Sequence, residues 1–422
     1  TLPVALSPVS VTTSTIAELG RRARAAAPTL AVTSTDQKNA ALCAAADRIL
    51  VDGDRILEGN EVDLVRGEIE GISVNLLDRL RLDGSRLEGM ASGLRQVAEL
   101  PDPVGEVTAA WDRPNGLHIS KVRVPLGVVA IIYEMRPNVT TDAFGLCLKS
   151  GNVAFLRGSS AALESNRAIA ASIRAAVAGT GLPADALVLV EDVSREAAVE
   201  FMQLRESIDC LIPRGGPSLI SSIIDNATVP YVIDGDGNCH VYVDASADLD
   251  MAVSILHNAK THRPSVCNAA ESLVVHADVA DEFLPLAMAT LDGVEFVGDG
   301  RSRLIAPSIG VAEDDDFATE FLDLKISVRV VNNLDEAIEH VNQAGSGHSE
   351  AIVTSDEAAA QRFCKEVDAA AVLVNASTRF VDGEEFGFGA EIGISTQKLH
   401  ARGPMGLPQL TTEKYVVRGD GQ

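Results

Sequence analysis

The sequence predicts an α/β protein with two doubly wound α/β domains and a β-hairpin. Short apolar runs typical of buried strands alternate with amphipathic helical segments, first from "GVVAIIY" to "IDCLIPR" and again from "CHVYVD" to "AAVLVN". This alternation is typical of parallel sheets that carry helices on both faces. The chain has 422 residues, of which 46% are hydrophobic, so it is long enough to build the cores of two or three domains.

The segments outside this alternation predict further elements. Up to about residue 100, stretches such as "TDQKNAALCAAADRIL" repeat apolar residues every three or four positions and predict helices. The stretch "GEVTAAWDRPNGLHISKVRVPLG" then alternates around Pro114, Asn115 and Gly116, a turn signal, and predicts a β-hairpin. The final "LTTEKYVV" predicts one more strand.

Composition argues against several classes of protein. The net charge of −25 and the lack of a basic stripe disfavour a nucleic-acid partner. No apolar stretch approaches the roughly 20 residues of a membrane span, and no basic segment precedes the apolar residues at the start. The six cysteines and eight histidines show no metal-ligand spacing. We therefore expect a cytoplasmic protein with no membrane, nucleic acid or metal.

Two loops that follow predicted strands carry candidate anion-binding residues. Arg157 and Ser159 lie in "LRGSS", and Arg214, Gly215 and Gly216 lie in "PRGGPS", although the usual G-x-G-x-x-G pattern is missing. Arginine and the free N–H groups at the start of a helix both favour phosphate. The alternatives are a glycine that only permits a turn and arginines that only form surface ion pairs.

One cysteine stands apart from the other five, which have apolar or helical neighbours and are expected to be small buried residues. Cys267 lies in "THRPSVCNAAESLVVH", in a polar loop before an apolar strand. A nucleophilic thiol needs access, a lowered pKa and an oxyanion donor. The loop supplies access, and Arg263 and Asn268 supply positive charge and hydrogen bonding. The alternative is a structural cysteine at a domain junction.

Five stretches together resemble one protein family: "LGVVAIIYEMRPNVTTDAFGLCLKSGNVAFLRG", "LIPRGG", "NAKTHRPSVCNAAESLVVH", "VNASTRF" and "STQKLHARGPMGL". They resemble the gamma-glutamyl phosphate reductase family of the aldehyde dehydrogenase superfamily, over almost the whole chain. The resemblance implies an aldehyde dehydrogenase-like fold. It has an NADP-binding domain with N-terminal helices (residues 1–104 and 126–236), a catalytic cysteine domain (237–395) and an oligomerisation element (105–125 and 396–422). It therefore also implies a homo-oligomer.

The same resemblance implies a reaction. Members reduce L-glutamyl 5-phosphate to L-glutamate 5-semialdehyde with NADPH, through a cysteine thioester and with release of phosphate, in proline biosynthesis. A separate glutamate 5-kinase would supply the acyl phosphate, so functional coupling to that kinase is expected.

The resemblance also implies roles for individual residues. Cys267 matches the catalytic thiol, and Asn138 in "RPN" matches an oxyanion donor that acts with the backbone N–H of Cys267. Glu320 matches a glutamate that holds the nicotinamide ribose, without the usual flanking Phe-Gly-Pro. Arg157 lies where many relatives carry a lysine near the adenosine ribose, and its fork-shaped charge would suit a 2′-phosphate.

The glutamyl group carries an α-carboxylate and an α-ammonium that need polar partners. The candidates are Arg263, beside the proposed nucleophile, and Asn375, Ser377 and Arg379 in "VNASTRF". Asn375 and Ser377 have an alternative role, which is to cap a turn.

One motif of hydrolytic aldehyde dehydrogenases is altered. Their general base is the glutamate of Glu-Leu-Gly-Gly, and here the corresponding region reads "YVIDGDGNCH", which puts Ile233 or Asp234 at its place. With Ile233 there, no base is present and water does not release the thioester, whereas Asp234 would permit hydrolysis. Two other functions stay open: an acylating aldehyde dehydrogenase that uses coenzyme A, and a catalytically silent relative kept for binding.

Overall fold

The computed structural model describes residues 14–233 and 235–422. The chain forms two compact units, each of which is described by itself. The first unit comprises the chain up to Tyr231 together with Thr412–Gln422, and the second comprises Val232–Thr411. In the part of the chain that the structure describes, no helix combines the length and the apolar composition needed to cross a bilayer.

The helices and strands alternate as the sequence predicts. The helices are α1 Ile16–Ala31, α2 Thr35–Val51, α3 Gly53–Ile69, α4 Val74–Leu80, α5 Gly84–Glu99, α6 Val139–Lys149, α7 Leu163–Gly179, α8 Arg195–Met202, α9 Pro217–Asn226, α10 Leu249–Thr261, α11 Ala277–Thr290, α12 Gly300–Ile305, α13 Leu334–Ala344 and α14 Glu357–Glu366. The strands are β1 Val107–Asp112, β2 His118–Pro125, β3 Val128–Tyr133, β4 Val153–Arg157, β5 Leu187–Leu189, β6 Cys210–Arg214, β7 Cys239–Val243, β8 Ala270–His276, β9 Glu295–Gly298, β10 Gly310–Val311, β11 Lys325–Val331, β12 Ser349–Val353, β13 Ala371–Val374, β14 Ile394–Ser395, β15 Gly403–Pro404 and β16 Thr411–Arg418.

A four-stranded parallel sheet forms the centre of the first unit, in the order β5-β4-β3-β6. Every residue of β3 and β4 is buried, which explains their continuous apolar runs. The chain passes from β3 to β4 and β5 on one side and then returns to β6 on the other. The carboxyl ends of β3 and β6 therefore form the switch point at which open α/β sheets bind ligands.

The predicted hairpin and the predicted last strand form a separate three-stranded sheet in the order β1-β2-β16. Gly116 has a φ of 89° in the tight turn between β1 and β2, a conformation that favours glycine. The rings of Trp111 and Tyr415 meet edge to face with their centroids 6.3 Å apart. Tyr415 is nevertheless 63% exposed, so this sheet presents aromatic surface to solvent.

The second unit is built on a seven-stranded parallel sheet in the order β10-β9-β11-β8-β7-β12-β13. Successive residues of a strand point to opposite faces. Val241 and Val243 therefore pack with the residues of α10 and α11, whereas Tyr242 packs on the other face with residues of α13 and α14, Phe363 among them. Helices on both faces make this a doubly wound sheet, as predicted.

Two leucines on α11 test which face of that helix forms the core. Leu284 is fully buried, whereas Leu286 is 39% exposed. We expect Leu284→Ala to lower the free energy of unfolding of the second unit by about 2–5 kcal/mol, because it leaves a cavity. Leu286→Ala serves as the matched control and is expected to cost less than about 1 kcal/mol. Equal shifts of the urea unfolding midpoint in the two variants would contradict this packing.

Candidate active site

Cys267 lies in the turn-rich loop between α10 and β8, three residues before the strand begins, and it is half-buried. Because the sheet is parallel, this loop lies at the amino end of the strands. The sequence predicts this position before a strand for the candidate nucleophile, whereas the candidate anion-binding residues of the first unit follow their strands.

The sequence predicts that the other five cysteines are buried, and the structure confirms this for three of them. Cys147, Cys210 and Cys239 are buried, and burial raises the pKa of each thiol, that of Cys210 to about 12. Cys43 and Cys364 are exposed, which contradicts the expectation, because they face outward from α2 and α14. Neither lies in a loop at the end of a sheet.

The backbone of Cys267 is held against the start of β7. A Cβ atom at Gly237 would overlap the carbonyl group of Cys267, so only glycine permits this approach. The Sγ of Cys239 donates a hydrogen bond to the carbonyl oxygen of Cys267 at 3.2 Å. Two residues at the entrance to β7 therefore fix the carbonyl group of the candidate nucleophile.

Glu320 reaches the same place. Its Oε1 accepts a hydrogen bond from the backbone N–H of Gly237 at 2.9 Å. Burial raises the pKa of Glu320, while the bond from Gly237 lowers it. The structure thus brings Glu320 to the glycine that supports Cys267.

Positive charge lies beside the thiol. Nη1 of Arg379 donates to Oδ1 of Asn268, the residue that follows Cys267, and Nδ2 of Asn268 donates to the carbonyl of Val381 at 2.9 Å. Burial lowers the pKa of Arg379. The carboxylate of Asp382 and then the Cys267 thiol oppose that shift, and nearby Arg263 lowers the pKa further. Arg379 and Arg263 therefore both act electrostatically near the cysteine loop.

Ser377 and Asn375 have local partners. Ser377 caps the short turn Thr378–Phe380, and its Oγ accepts a hydrogen bond from the N–H of Arg379 at 3.2 Å. Asn375 follows β13 with a φ of 54° and exchanges two hydrogen bonds with the backbone of Thr354, at 2.9 and 3.0 Å.

Asn375 is thus at the carboxyl end of the sheet and Cys267 at the amino end. The structure does not bring these two predicted residues together. Their separation follows from the direction of β13, because Asn375 comes directly after that strand whereas Cys267 precedes its own.

A buried ion pair that the sequence did not predict lies beneath the loop. Nζ of Lys260 on α10 lies 2.6 Å from Oε2 of Glu271 on β8, and neither side chain has exposed surface. Burial raises the pKa of Glu271 to about 7, and Lys260 opposes that shift. The other oxygen of Glu271 accepts from the N–H of Leu322 at 3.2 Å. The available signal was a glutamate at the start of an apolar strand, "ESLVVH".

Asn138 belongs to the first unit, where it precedes α6 and is exposed. Its Nδ2 donates to Oδ2 of Asp142 at 2.9 Å, which fixes the orientation of the amide. Desolvation raises the pKa of Asp142 to about 6, against the hydrogen bond from Asn138 and the charge of Arg214. Arg214 is therefore near this pair.

The loops that follow β3, β4 and β6 meet at their carboxyl ends. Oε2 of Glu134 accepts from the N–H of Gly216 at 3.2 Å, and a Cβ at Gly215 would clash with the Glu134 carboxylate. The Oγ of Ser159 accepts from the N–H of Met135 at 3.3 Å. Glu134, which the sequence did not single out, thus places its carboxylate at the predicted anion site.

Arg157, the candidate for the 2′-phosphate, already has backbone partners in its own unit. It is only 8% exposed, and its Nη2 donates to the carbonyls of Val193 and Ser194 at 3.0 and 2.7 Å. Burial lowers the pKa of this guanidinium, against the attraction of Asp192. Arg157 ties the end of β4 to the loop before α8.

Two further sequence-based expectations concern metal and hydrolysis. Within residues 14–233 and 235–422, no group of three or more His, Cys, Asp or Glu residues is arranged to hold a metal ion. Of the two candidates for the place of the hydrolytic base, Ile233 donates its N–H to Gln397 at 3.2 Å. Asp234 lies outside the described residues.

Comparisons with known proteins support one family. A model of the aldehyde dehydrogenase family matches residues 9–314 and 326–402. Gamma-glutamyl phosphate reductase from Moorella thermoacetica is 56% identical over 405 residues, which are 96% of this chain and 97% of that protein. The protein of that name from Clostridium botulinum strain Alaska E43 is 54% identical, over 96% of this chain and 98% of the relative.

Solved structures agree. The crystal structure of gamma-glutamyl phosphate reductase from Thermotoga maritima has a TM-score of 0.95 and 48% identity, over 97% of this chain and 99% of the other. An acetylating aldehyde dehydrogenase from Geobacillus thermoglucosidasius has a TM-score of 0.68 at 17% identity, over 96% of this chain and 97% of the other, and shows the fold alone. The chain belongs to the gamma-glutamyl phosphate reductase family of the aldehyde dehydrogenase superfamily.

Proposed function

We propose that the chain reduces L-glutamyl 5-phosphate to L-glutamate 5-semialdehyde with NADPH and releases phosphate, as a step of proline biosynthesis. The observation that carries this proposal is the half-buried Cys267 in a loop at the amino end of β8, with its carbonyl fixed and cationic side chains nearby. The names of relatives more than 50% identical over nearly the full chain supply the substrate.

Cys267 is proposed as the nucleophile. Positive charge from Arg379 and Arg263 favours the thiolate. The thiolate attacks the acyl carbonyl carbon, a C–S bond forms, and the C–O bond to the phosphoryl group breaks. Inorganic phosphate departs with the electron pair of that bond and leaves a thioester on Cys267, so little acid catalysis is required.

Asn138 is proposed to stabilise the oxyanion of the tetrahedral intermediate, with the backbone N–H of Cys267 as the second donor. The amide of Asn138 has two hydrogens, and Asp142 accepts one of them. An ionised carboxylate is an acceptor only, so it turns the NH₂ group, and not the carbonyl, toward itself. The second hydrogen is then available in a fixed direction for the substrate.

The cofactor is proposed to bind at the carboxyl ends of β3, β4 and β6. The Glu134 carboxylate on the N–H of Gly216 supports this site, because it demonstrates that the start of α9 accepts an anionic oxygen. A phosphate would replace it, with Ser159, Arg214 and Gly215 beside it. When bound, NADPH supplies the hydride that reduces the thioester. Glu320 is proposed to contact the nicotinamide ribose, and Arg157 to support the 2′-phosphate side of the site.

The glutamyl group is proposed to bind through the residues at the Cys267 end of the second unit. Arg379 and Arg263 suit its α-carboxylate because both are cationic and act on the cysteine loop. Ser377 adjoins Arg379 through its turn. Asn375 is bound to Thr354 at the other end of the sheet. We propose that it affects the substrate only indirectly, through the turn Thr378–Phe380 that follows it.

The domain organisation and the partners are proposed from the same family. Residues 1–104 and 126–236 form the NADP-binding domain, 237–395 form the catalytic domain, and 105–125 with 396–422 mediate homo-oligomerisation. The exposed aromatic surface of β1, β2 and β16 supports the last role. The chain is proposed to act in the cytoplasm and to receive its acyl phosphate from a separate glutamate 5-kinase.

The first prediction from the proposed function tests the nucleophile. We expect Cys267→Ala to lose at least about 10³-fold in the rate of semialdehyde oxidation by NADP and phosphate, because no thioester can form. Cys364→Ala is the matched control, since that thiol is exposed on α14 far along the chain from the loop. A Cys267→Ala variant that retains the wild-type rate would refute the mechanism.

The second prediction concerns the oxyanion. Asn138→Ala removes one donor and should lower kcat by about 10²–10³-fold. Asn115→Ala, in the turn between β1 and β2, is the control and should keep the wild-type kcat. If the loss in Asn138→Ala appears only as a raised KM, the amide binds the ground state and is not an oxyanion donor.

The third prediction concerns the acyl acceptor. If no hydrolytic base acts near Ile233, semialdehyde oxidation should require phosphate or arsenate and fall by about 10²–10⁴-fold without either. Initial rates in phosphate-free buffer, with phosphate and with coenzyme A separate the possibilities. Full activity in the phosphate-free buffer would mean that a base such as Asp234 is at work, and preference for coenzyme A would indicate an acylating aldehyde dehydrogenase.

A further inference from the structure

We propose that Glu320 is a positioning residue for Cys267, which it places through Gly237, independently of any contact with the cofactor. The inference rests on the proposed function of Cys267 as the nucleophile. It assigns to Glu320 a task that is already performed before the cofactor binds.

The first step is the contact between Gly237 and Cys267. The backbone of Gly237 lies so close to the Cys267 carbonyl group that no side chain would fit between them. In such close packing, a displacement of Gly237 must be transmitted to Cys267 or relieved by separation of the two segments. Cys239, the first residue of β7, donates a hydrogen bond to the same carbonyl and so ties the start of this strand to the cysteine loop.

The second step is the anchor of Gly237 itself. Its N–H donates to the Glu320 carboxylate at 2.9 Å, and a hydrogen bond to an ionised acceptor is about twice as strong as a neutral one. The neighbouring Asn238 is also anchored, because its Nδ2 donates to the carbonyls of Phe317 and Ala344 at 2.9 and 2.8 Å. The entrance to β7 is thus held by the segment that precedes β11 and by the end of α13.

The third step concerns the contacts that hold the segment around Glu320 in place. Two residues further on, Leu322 has a φ of 55°, an uncommon conformation for leucine, and its N–H donates to Glu271 at 3.2 Å. Glu271 is fixed by the buried Lys260 and lies on β8, four residues after Cys267. The Glu320 segment is therefore tied to the strand that follows the nucleophile as well as to the strand entrance that supports it.

A role confined to the cofactor predicts different behaviour. If Glu320 only contacts the ribose, its removal weakens NADPH binding and leaves a cofactor-free reaction of Cys267 unchanged. If Glu320 positions Cys267, the loss appears with no cofactor present. A misplacement of about 1 Å is enough to cost about 10²-fold in rate.

The test is the acylation of Cys267 by p-nitrophenyl acetate in the full-length, cofactor-free protein, followed as the burst of p-nitrophenolate. We expect Glu320→Ala to acylate about 10²-fold more slowly than wild type. Glu320→Asp should also be slow, because it keeps the charge but is one methylene too short to reach Gly237. Glu320→Gln keeps an oxygen acceptor at the same reach and should stay within about threefold.

Glu336→Ala is the matched control, because it removes a half-buried carboxylate of the same unit that accepts hydrogen bonds from Asn332, and it should acylate at the wild-type rate. The positioning role would be overturned if Glu320→Ala and Glu320→Asp both acylated at the wild-type burst rate while fluorescence titration showed weaker NADPH binding. If Glu320→Ala fails to fold, the burst rates of Glu320→Asp and Glu320→Gln decide: a slow Asp variant beside a near-normal Gln variant supports the positioning role, and equal rates overturn it. A burst that persists in Cys267→Ala would instead refute the proposed nucleophile.

Discussion

The close approach of Gly237 to Cys267 is the constraint on which the rest of the second unit's site depends. A loop that carries a nucleophile needs access, and access normally brings mobility. Here a glycine without a side chain, a thiol donor from Cys239 and the carboxylate of Glu320 hold the backbone of the loop while the thiol remains half-buried. Precision at the reacting atom thus comes from main-chain contacts at the strand entrances.

The charges around this loop have a consistent arrangement. Arg379 and Arg263 act on the thiol side, where a thiolate and an anionic substrate are proposed. The carboxylates of Glu271 and Glu320 face backbone N–H groups and Lys260. Burial of an ion pair such as Lys260 and Glu271 brings little net stability. With the N–H of Leu322, the pair joins α10, β8 and the segment before β11. In the first unit, Asp142 orients Asn138 by the same principle.

The sequence predicted the fold well because its signals are local. Continuous apolar runs such as "GVVAIIY" correspond to buried strands, and Gly116 marks the hairpin. The position of Cys267 in a loop before a strand was predicted for the same reason. Contacts between distant segments left no such signal: the carboxylate of Glu134 on Gly216 and the burial of Arg157 depend on how strands and loops come together. Asn375 lies near Arg379 in sequence, but the end of β13 places it away from the cysteine loop.

The central claim is that Cys267 carries the acyl group between release of phosphate and reduction. The most direct measurement is mass spectrometry of the intact and digested protein after mixing with L-glutamyl 5-phosphate, generated in place by a glutamate 5-kinase and ATP. The account predicts a glutamyl adduct on the peptide that contains Cys267 when NADPH is absent, and its disappearance with formation of semialdehyde when NADPH is added. Oxidation of NADPH with no adduct at Cys267, or with an adduct at another residue, would contradict it.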